Sequence, residues 1–462
     1  MSRMKDMTVG DPLWQILTFS APLFAMNLLY LSYAVVNTYV AGNTLGPAAL
    51  AAIGSAMGGL HYCVFGFFNG MTSGFTVVTG QRFGAKDMAN VRRSIGTSFI
   101  LCACISLPLL ILAGCSAEAA LQLLRTPAKV IGNATMYLRI LFFFSFLNIM
   151  HLLLNSILRA LGDSKTPLYF SIYGTLANIG MNLLLVLYFR LGVAGVAWAT
   201  IFSQSTAAIF CATYALWKMP ILRLKKEDLR MDWRFSWEHL RIALPMALQF
   251  SVTSVGMVVL QWAVNDFGPE ALGGISATGP LGTLTIAPLF SIGVGIATYA
   301  AQNYGARNLA RIREGVRKTA FVVFCFTLAT SILMYIFAEP LVDIFVKDDD
   351  PNAATVLAYG TQYLRLQAMF YVILGQLLIF RNVQQGMGYA SAPFWAGVAE
   401  LVARVVGAFV LAQLFGFTGA ALSHPLAWIG ATVVVFGDYV FTIHKLKKTG
   451  IPVRIKTEKK TA

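Results

Sequence analysis

Few residues in this 462-residue chain can do chemistry, because only 12% of it is charged. Of its twenty Asp and Glu, one lies deep in an apolar run: Glu400 in "GVAELVARVVG", with Arg404 four residues on. That spacing puts both on one helix face. A charge at the centre of a bilayer costs at least about 2.5–3.5 kcal/mol, so the pair has two readings. It is a neutralised ion pair that locks helix packing, or a proton or cation switch in which Arg404 holds or releases Glu400. Asn178 and Asn182 in "GTLANIGMNLLLV" form a second polar pair on one face. Asn37 stands in another apolar run, ten residues before Pro47, and Thr200 lies in "AWAT". Amides offer hydrogen bonds and neutral oxygens rather than titratable protons.

The elements that must carry these groups are membrane helices. The chain is 57% hydrophobic, and apolar runs of roughly 20 residues, the length of a membrane-crossing helix, recur along it. Spans are expected near 13–40, 48–77, 92–114, 130–160, 166–189, 193–217, 237–264, 271–301, 317–338, 355–382, 393–414 and 418–443. The first run is too long for a signal-peptide core and is kept as a helix. The fold class is therefore an all-α polytopic membrane protein with twelve transmembrane helices. The six cysteines show no metal-ligand spacing and read as free, buried thiols.

The net charge of +15 does not point to nucleic acid, because the basic residues cluster in short segments between apolar runs. With the N-terminus inside, all but seven of the 35 Lys and Arg fall on the inner side. The exceptions are Arg125, Lys129, Arg190 and Lys347 in outer loops, and Arg139, Arg365 and Arg404 within helices. This asymmetry puts both termini in the cytoplasm.

The chain is also a duplication. Gly46-Pro47-x-Ala-Leu recurs as Gly268-Pro269-x-Ala-Leu, "QRFGA" (81–85) as "QNYGA" (302–306), Gly162…Pro167 as Gly388…Pro393, and Gly192/Gly195 as Gly416/Gly419. Pro22 is matched by Pro245. Six helices per copy insert both copies in the same direction, so two six-helix bundles should be related by a pseudo-twofold axis along the membrane normal. The expected division is 1–217, a cytoplasmic linker at 218–236 read as solvated rather than membrane-bound, 237–446, and a basic tail at 447–462. Two like bundles enclose a cleft near the midplane, the usual place for a transported substrate.

The segments "GPAALAAIG", "GQRFGAKDMANVRRS", "LGDSKTP", "GVAGVAWAT", "ALPMALQ", "NDFGPEALGG" and "AQNYGARNLARIREGVRK" resemble the multidrug and toxic compound extrusion (MATE) family over essentially the whole chain. The resemblance implies an exporter of amphipathic or cationic small molecules driven by H⁺ or Na⁺, without a cofactor, in a prokaryotic cytoplasmic membrane. It also implies a first-lobe cation site at Asn37, Asn178, Asn182 and Thr200. The residues here matching Asn37 and Asn182 are aspartates in many prokaryotic relatives. Losing both removes most of the attraction for a monovalent ion. The cluster then reads equally as a weak ion or ligand site and as a hydrogen-bonded knot between helices. Pro22 matches a proline implicated in bending helix 1; a static kink is the plainer reading.

Expectations follow from this. Any proton coupling should run through Glu400. A monomer embedded in lipid is expected, with no nucleic-acid partner and no certain metal site. An uncoupled exporter is one alternative. A flippase for lipid-linked intermediates is another, and it would want a cationic cavity. Apart from Arg139, Arg365 and Arg404, deep basic residues are not evident, which counts against it. An enzyme would need clustered Asp or His at helix ends, and none is seen. The runs "KDDDP" (347–351), "GNAT" (132–135) and "GGISATGPLG" (273–282) read as a solvated loop, a helix start and a glycine-rich helix. Met57, Met71, Tyr33 and Tyr299 are candidates to line an adaptable cleft, with packing or lipid-facing roles the plainer reading for any one of them.

Overall fold

The computed structural model describes residues 4–124, 126–346 and 351–452; the side chains at 33–41, 43, 58–59 and 261–262 lie outside the described residues. Among those described there is no strand. The helices of the first copy are α1 (Pro12–Leu45), α2 (Pro47–Ala56), α3 (Tyr62–Gly84), α4 (Met88–Leu123), α5 (Ala128–Phe144), α6 (Phe146–Ala160), α7 (Lys165–Asn182) and α8 (Gly192–Lys218). The second copy has α9 (Trp233–Asn265), α10 (Pro269–Gly305), α11 (Leu309–Ile336), α12 (Ala338–Asp343), α13 (Ala353–Ala368), α14 (Tyr371–Met387), α15 (Ser391–Val406), α16 (Ala412–Ala421) and α17 (Ser423–Thr449).

Among the described residues nine helices are long and apolar enough to cross a membrane, or eleven when two bent pairs each count as one span. The remaining expected span, 48–77, falls on α2, a π-helical turn at Met57–His61 and α3, where Asn69, Thr72, Ser73 and Thr76 lower the hydropathy. The bent pairs correct the expectation of single helices at 130–160 and 355–382. α5 and α6 meet at 57°, and α13 and α14 at 50°. Neither bend falls on Pro or Gly, so the apolar pattern runs across it unbroken.

The duplication extends to backbone geometry. Gly46 and Gly268 have φ of 84° and 89°, and each is followed by a proline that starts a helix. Gly162 and Gly388 (84° and 83°) and Gly192 and Gly416 (60° and 59°) repeat the same left-handed turns, a conformation open to glycine at no steric cost. Asp87 and Asn308 accept hydrogen bonds from the N–H groups of Asn90 and Arg311 and so cap α4 and α11. A π-helical turn follows α7 at Leu183–Tyr188 and follows α15 at Gly407–Leu411. Such turns concentrate at functional sites.

Two large buried apolar clusters, with two small ones beside them, form most of the interior. One is built mainly from the first copy and takes in Ala243 and Ala247 of α9. The other is built mainly from the second copy and takes in Ile16, Phe19, Leu23 and Met26 of α1. The copies therefore interlock through their first helices. The connecting segment is not simply solvated. Leu222 and Phe235 are buried, Arg92 and Arg93 of α4 pair with Asp228 and Asp232 at 3.9 and 3.0 Å, and a Cβ at Gly96 would collide with the Asp228 carbonyl. Pro22 lies inside α1, which continues as one helix through it.

Candidate functional site

In the second copy, α15 brings Glu400 and Arg404 together as their spacing predicts. Arg404 Nη2 donates to Glu400 Oε2 at 3.3 Å. The other carboxylate oxygen, Oε1, accepts a hydrogen bond from Arg381 Nη2 on α14. The group is thus an Arg–Glu–Arg triad, with Glu400 and Arg404 each 3% exposed and Arg381 9%. Gly256 of α9 makes room for it, since a Cβ there would sit 2.9 Å from Arg404 Nη1. The triad leaves one positive charge uncompensated, and Nε and Nη1 of Arg404 and Nε of Arg381 are buried with no hydrogen-bond partner among the described residues. Arg381 is the member that sequence reasoning missed. A count of basic residues assigns it to the inner segments, yet it follows the apolar run "YVILGQLLIF" and precedes the helix end at Gly388 by two turns.

The equivalent place in the first copy carries no charge. Asn182 Nδ2 donates to Asn178 Oδ1 at 2.8 Å, and Asn178 Nδ2 donates to Ser203 Oγ of α8 at 3.4 Å. Both asparagines are fully buried. Ser203 in turn donates to the Thr200 carbonyl at 3.0 Å, and Thr200 Oγ1 donates to the Val196 carbonyl at 3.1 Å. Asn178, Asn182 and Thr200 are thus brought onto one α7–α8 seam, against which α1 also packs. Asn37 is in α1, but its side chain lies outside the described residues. Ser203 was not foreseen, because a serine in a helix usually bonds its own backbone and gives no signal of its own.

Between the bundles lies a cavity of about 470 Å³. Its apolar wall includes Leu23, Met26, Met246, Phe250 and Phe290; its polar wall includes Asn27, Asn69, Asn155, Ser156, Gln249 and Gln385. Arg159 of α6 and Arg381 also line it, and among the described residues no Asp or Glu does. This corrects one expectation. Deep basic residues are present, but they are Arg159 and Arg381. Arg139 instead lies at an exposed position against Glu118, and Arg365 is half-buried against Tyr335. Met71 and Tyr299 are buried in the packing, the plainer reading for both, Met57 is exposed away from the cavity lining, and the Tyr33 side chain lies outside the described residues. The cysteines are all free, but only Cys102 and Cys211 are fully buried; Cys104, Cys115 and Cys325 are exposed.

At the end of the molecule where Met7 and Pro452 lie, the two repeated Gln-x-x-Gly-Ala motifs cross and close the cavity. Gln81 Nε2 donates to the Gly386 carbonyl, and Gln302 Nε2 donates to the Ala160 carbonyl, each at 3.1 Å. A Cβ at Gly84 would collide with the Gln302 carbonyl, and one at Gly305 with the Gln81 carbonyl. Arg82 pairs with Glu238 at 2.8 Å beside this crossing. On the second-copy side, the Met7 N–H donates to Gln302 Oε1 at 2.8 Å and Asn303 Nδ2 to the Met7 carbonyl at 3.1 Å.

A sequence model of the MatE family matches residues 22–184 and 245–410. The probable multidrug resistance protein YpnP of Bacillus subtilis is 28% identical over 438 residues, covering 94% of this chain and 92% of that protein. Among solved structures, an outward-facing multidrug resistance MATE family transporter of the MOP superfamily superposes with a TM-score of 0.87 at 21% identity, covering 95% of this chain and 98% of the other. A MOP superfamily transporter from Pyrococcus furiosus, described as having a binding pocket of reversed polarity that suggests a different function, also gives 0.87, at 20% identity over 96% and 98% of the two chains.

Proposed function

The chain belongs to the MatE family of multidrug efflux transporters, and from that premise we propose that it is a secondary exporter working by alternating access. It is a membrane transporter and not an enzyme, and transport in this family needs no cofactor. The observation that carries the proposal is the cavity between the bundles, closed at the end where Met7 and Pro452 lie by the crossed Gln81–Gly84 and Gln302–Gly305 segments. In this reading that end faces the cytoplasm of a prokaryotic cell, in keeping with its basic loops. Opening it admits an amphipathic substrate, and closing it commits the substrate outward. The moving units are the lobes 1–217 and 237–446, joined by 218–236, in a single chain acting as a monomer. Pro22 supplies α1 with a place to bend.

Proton coupling is assigned to Glu400. Its carboxylate holds Arg381, which lines the cavity, so a change at Glu400 is felt at the substrate wall. The Asn178–Asn182–Thr200 seam, with Asn37, is the place for Na⁺ if the driving ion is Na⁺, and uncoupled export is the outcome if neither ion acts. The deciding experiment is transport in proteoliposomes with pH and Na⁺ gradients imposed independently, for the native chain and for Glu400→Gln. Gradient-driven transport unchanged by Glu400→Gln would remove Glu400 from the coupling step. A second reading, a flippase for a lipid-linked intermediate, draws support from Arg159 and Arg381 in the cavity. A headgroup-accessibility assay on reconstituted vesicles separates it from drug export.

A further inference from the structure

The same helix of each copy faces the cavity. α6 presents Asn155, Ser156 and Arg159, and α14 presents Arg381, Asn382 and Gln385. At the 226-residue offset of the Gly162/Gly388 turns, Asn155 corresponds to Arg381 and Arg159 to Gln385. Each copy thus contributes one guanidinium, at positions one helical turn apart in the repeat.

Their surroundings differ. Arg381 is engaged by Glu400. Arg159 donates from Nη2 to Ser156 Oγ at 2.7 Å and has no carboxylate within 4.0 Å among the described residues. The cavity wall and the triad behind it therefore hold three cations, Arg159, Arg381 and Arg404, against one anion, Glu400. The side chains not described at 33–41, 43, 58–59 and 261–262 include no Asp or Glu, so none of them neutralises Arg159. The undescribed acids Asp348, Asp349, Asp350 and Glu458 belong to polar stretches outside the apolar runs. An uncompensated cation among apolar helices is costly, and an anionic ligand relieves that cost. Arg, with its planar fork of donors, fits carboxylates and phosphates. Met26, Met246, Phe250 and Phe290 supply an apolar surface in the same cavity.

We propose that the cavity binds amphipathic oxyanions, with the anionic head on Arg159 and Ser156 and the apolar part against the Met–Phe wall. This deepens the exporter reading, on which it rests, and reverses the expected charge of the substrate. The test uses the full chain in nanodiscs of neutral phosphatidylcholine. Binding of dodecyl phosphate, dodecyltrimethylammonium, dodecyl maltoside and inorganic phosphate is measured below micellar concentrations. Dodecyl phosphate should bind about tenfold or more tighter than its cationic and neutral analogues, a difference of the size expected for charge-assisted hydrogen bonds. Arg159→Gln should abolish that preference, bringing dodecyl phosphate down to the affinity of its cationic and neutral analogues for the same variant, and Arg159→Lys should retain part of it. If Arg159→Gln does not fold, Arg159→Lys and Ser156→Ala carry the test, each with reduced preference for the anion. Equal or tighter binding of the cation, or a preference indifferent to these substitutions, overturns the proposal. Inorganic phosphate binding as tightly as dodecyl phosphate overturns the amphipathic part.

Repeating the titration with phosphatidylglycerol in the nanodisc identifies the source of the anion. Loss of dodecyl phosphate binding points to a lipid headgroup, and retention points to a free amphiphile; both agree with the proposal. Transport is read separately in proteoliposomes. An anion that binds but is never moved overturns the exporter reading alone, whereas a cation moved by a chain that ignores anions overturns only this one.

Discussion

Helices α7 and α15 occupy equivalent places in the two copies and run into the same π-helical turn, yet they carry opposite chemistry. α7 ends in a neutral chain of amides and hydroxyls, Asn182 to Asn178 to Ser203. α15 carries a carboxylate between two guanidiniums. One backbone design thus serves two energetic regimes. Hydrogen bonds between membrane helices contribute about 0.6 kcal/mol each, because the alternative states also find partners. Breaking a buried ion group by removing one member costs about 3–5 kcal/mol, because a desolvated charge is left behind. The copies should therefore respond unequally to loss of their polar groups and equally to damage at features they share.

The largest effect is expected at Glu400→Gln, which leaves Arg381 and Arg404 facing each other without a counter-charge. A loss of about 3–5 kcal/mol in unfolding free energy is expected, partly restored when Arg404→Gln is added. A double-mutant cycle on the purified chain measures this, and strictly additive losses would remove the coupling between the two residues. Next come Gly84→Ala and Gly305→Ala, each of which forces a Cβ against backbone of the other copy. Overpacking of this kind costs about 1–3 kcal/mol. The two variants should loosen the terminal crossing by similar amounts, read as faster hydrogen exchange near Gln81 and Gln302. Sensitivity in one copy only would mean that the crossing is not symmetric in energy.

Asn178→Ala should lower stability by only about 0.6 kcal/mol and leave transport intact, if the seam is a knot. Loss of ion dependence with normal stability would make it an ion site instead. Asn37→Asp combined with Asn182→Asp should introduce a pH- or Na⁺-dependent response in flux, and no change in either dependence would count against a latent site there.

The smallest effect is expected at two exposed caps. Asp11 caps α1 and pairs with Lys318 of α11 at 2.8 Å; Asp232 caps α9 and pairs with Arg93 of α4. The Lys318 ammonium first, and then the Trp14 N–H, hold the Asp11 carboxyl below its ordinary value. The Arg234 N–H does so first for Asp232, with Arg93 adding to it. A carboxyl depressed in the folded state stabilises that state above the unfolded value of about 3.9, and the contribution is lost as pH falls through the folded value. Asp11→Asn and Asp232→Asn should each flatten the acid limb of the pH–stability curve slightly and to a similar degree.

The fold was readable because its signals are long and repeated: apolar runs, and motifs that return in order. The Glu400–Arg404 pair was readable because a four-residue spacing fixes a shared face. Arg159 and Arg381 were not, because a count of basic residues treats the last turns of a helix as loop. Both lie near the ends of α6 and α14, the helices that follow the α5–α6 and α13–α14 bends, and those bends leave no Pro or Gly behind. The Gln-x-x-Gly-Ala repeats were visible as markers of duplication, but their contact lies across the axis, and no local pattern encodes which segment of the other copy a glutamine will meet.

That crossing has a further consequence. Gln81 serves the end of α14 as Gln302 serves the end of α6, so the contact is isologous in the sense used for symmetric dimers: each residue meets the counterpart of its own partner. A surface of that kind is self-complementary. Two copies of one motif therefore supply the whole of this contact, with no second kind of segment needed. The Arg–Glu–Arg triad is different, because a homodimer would carry it on both sides or on neither. Joining the halves in one chain is what allows one side to be charged and the other to stay neutral.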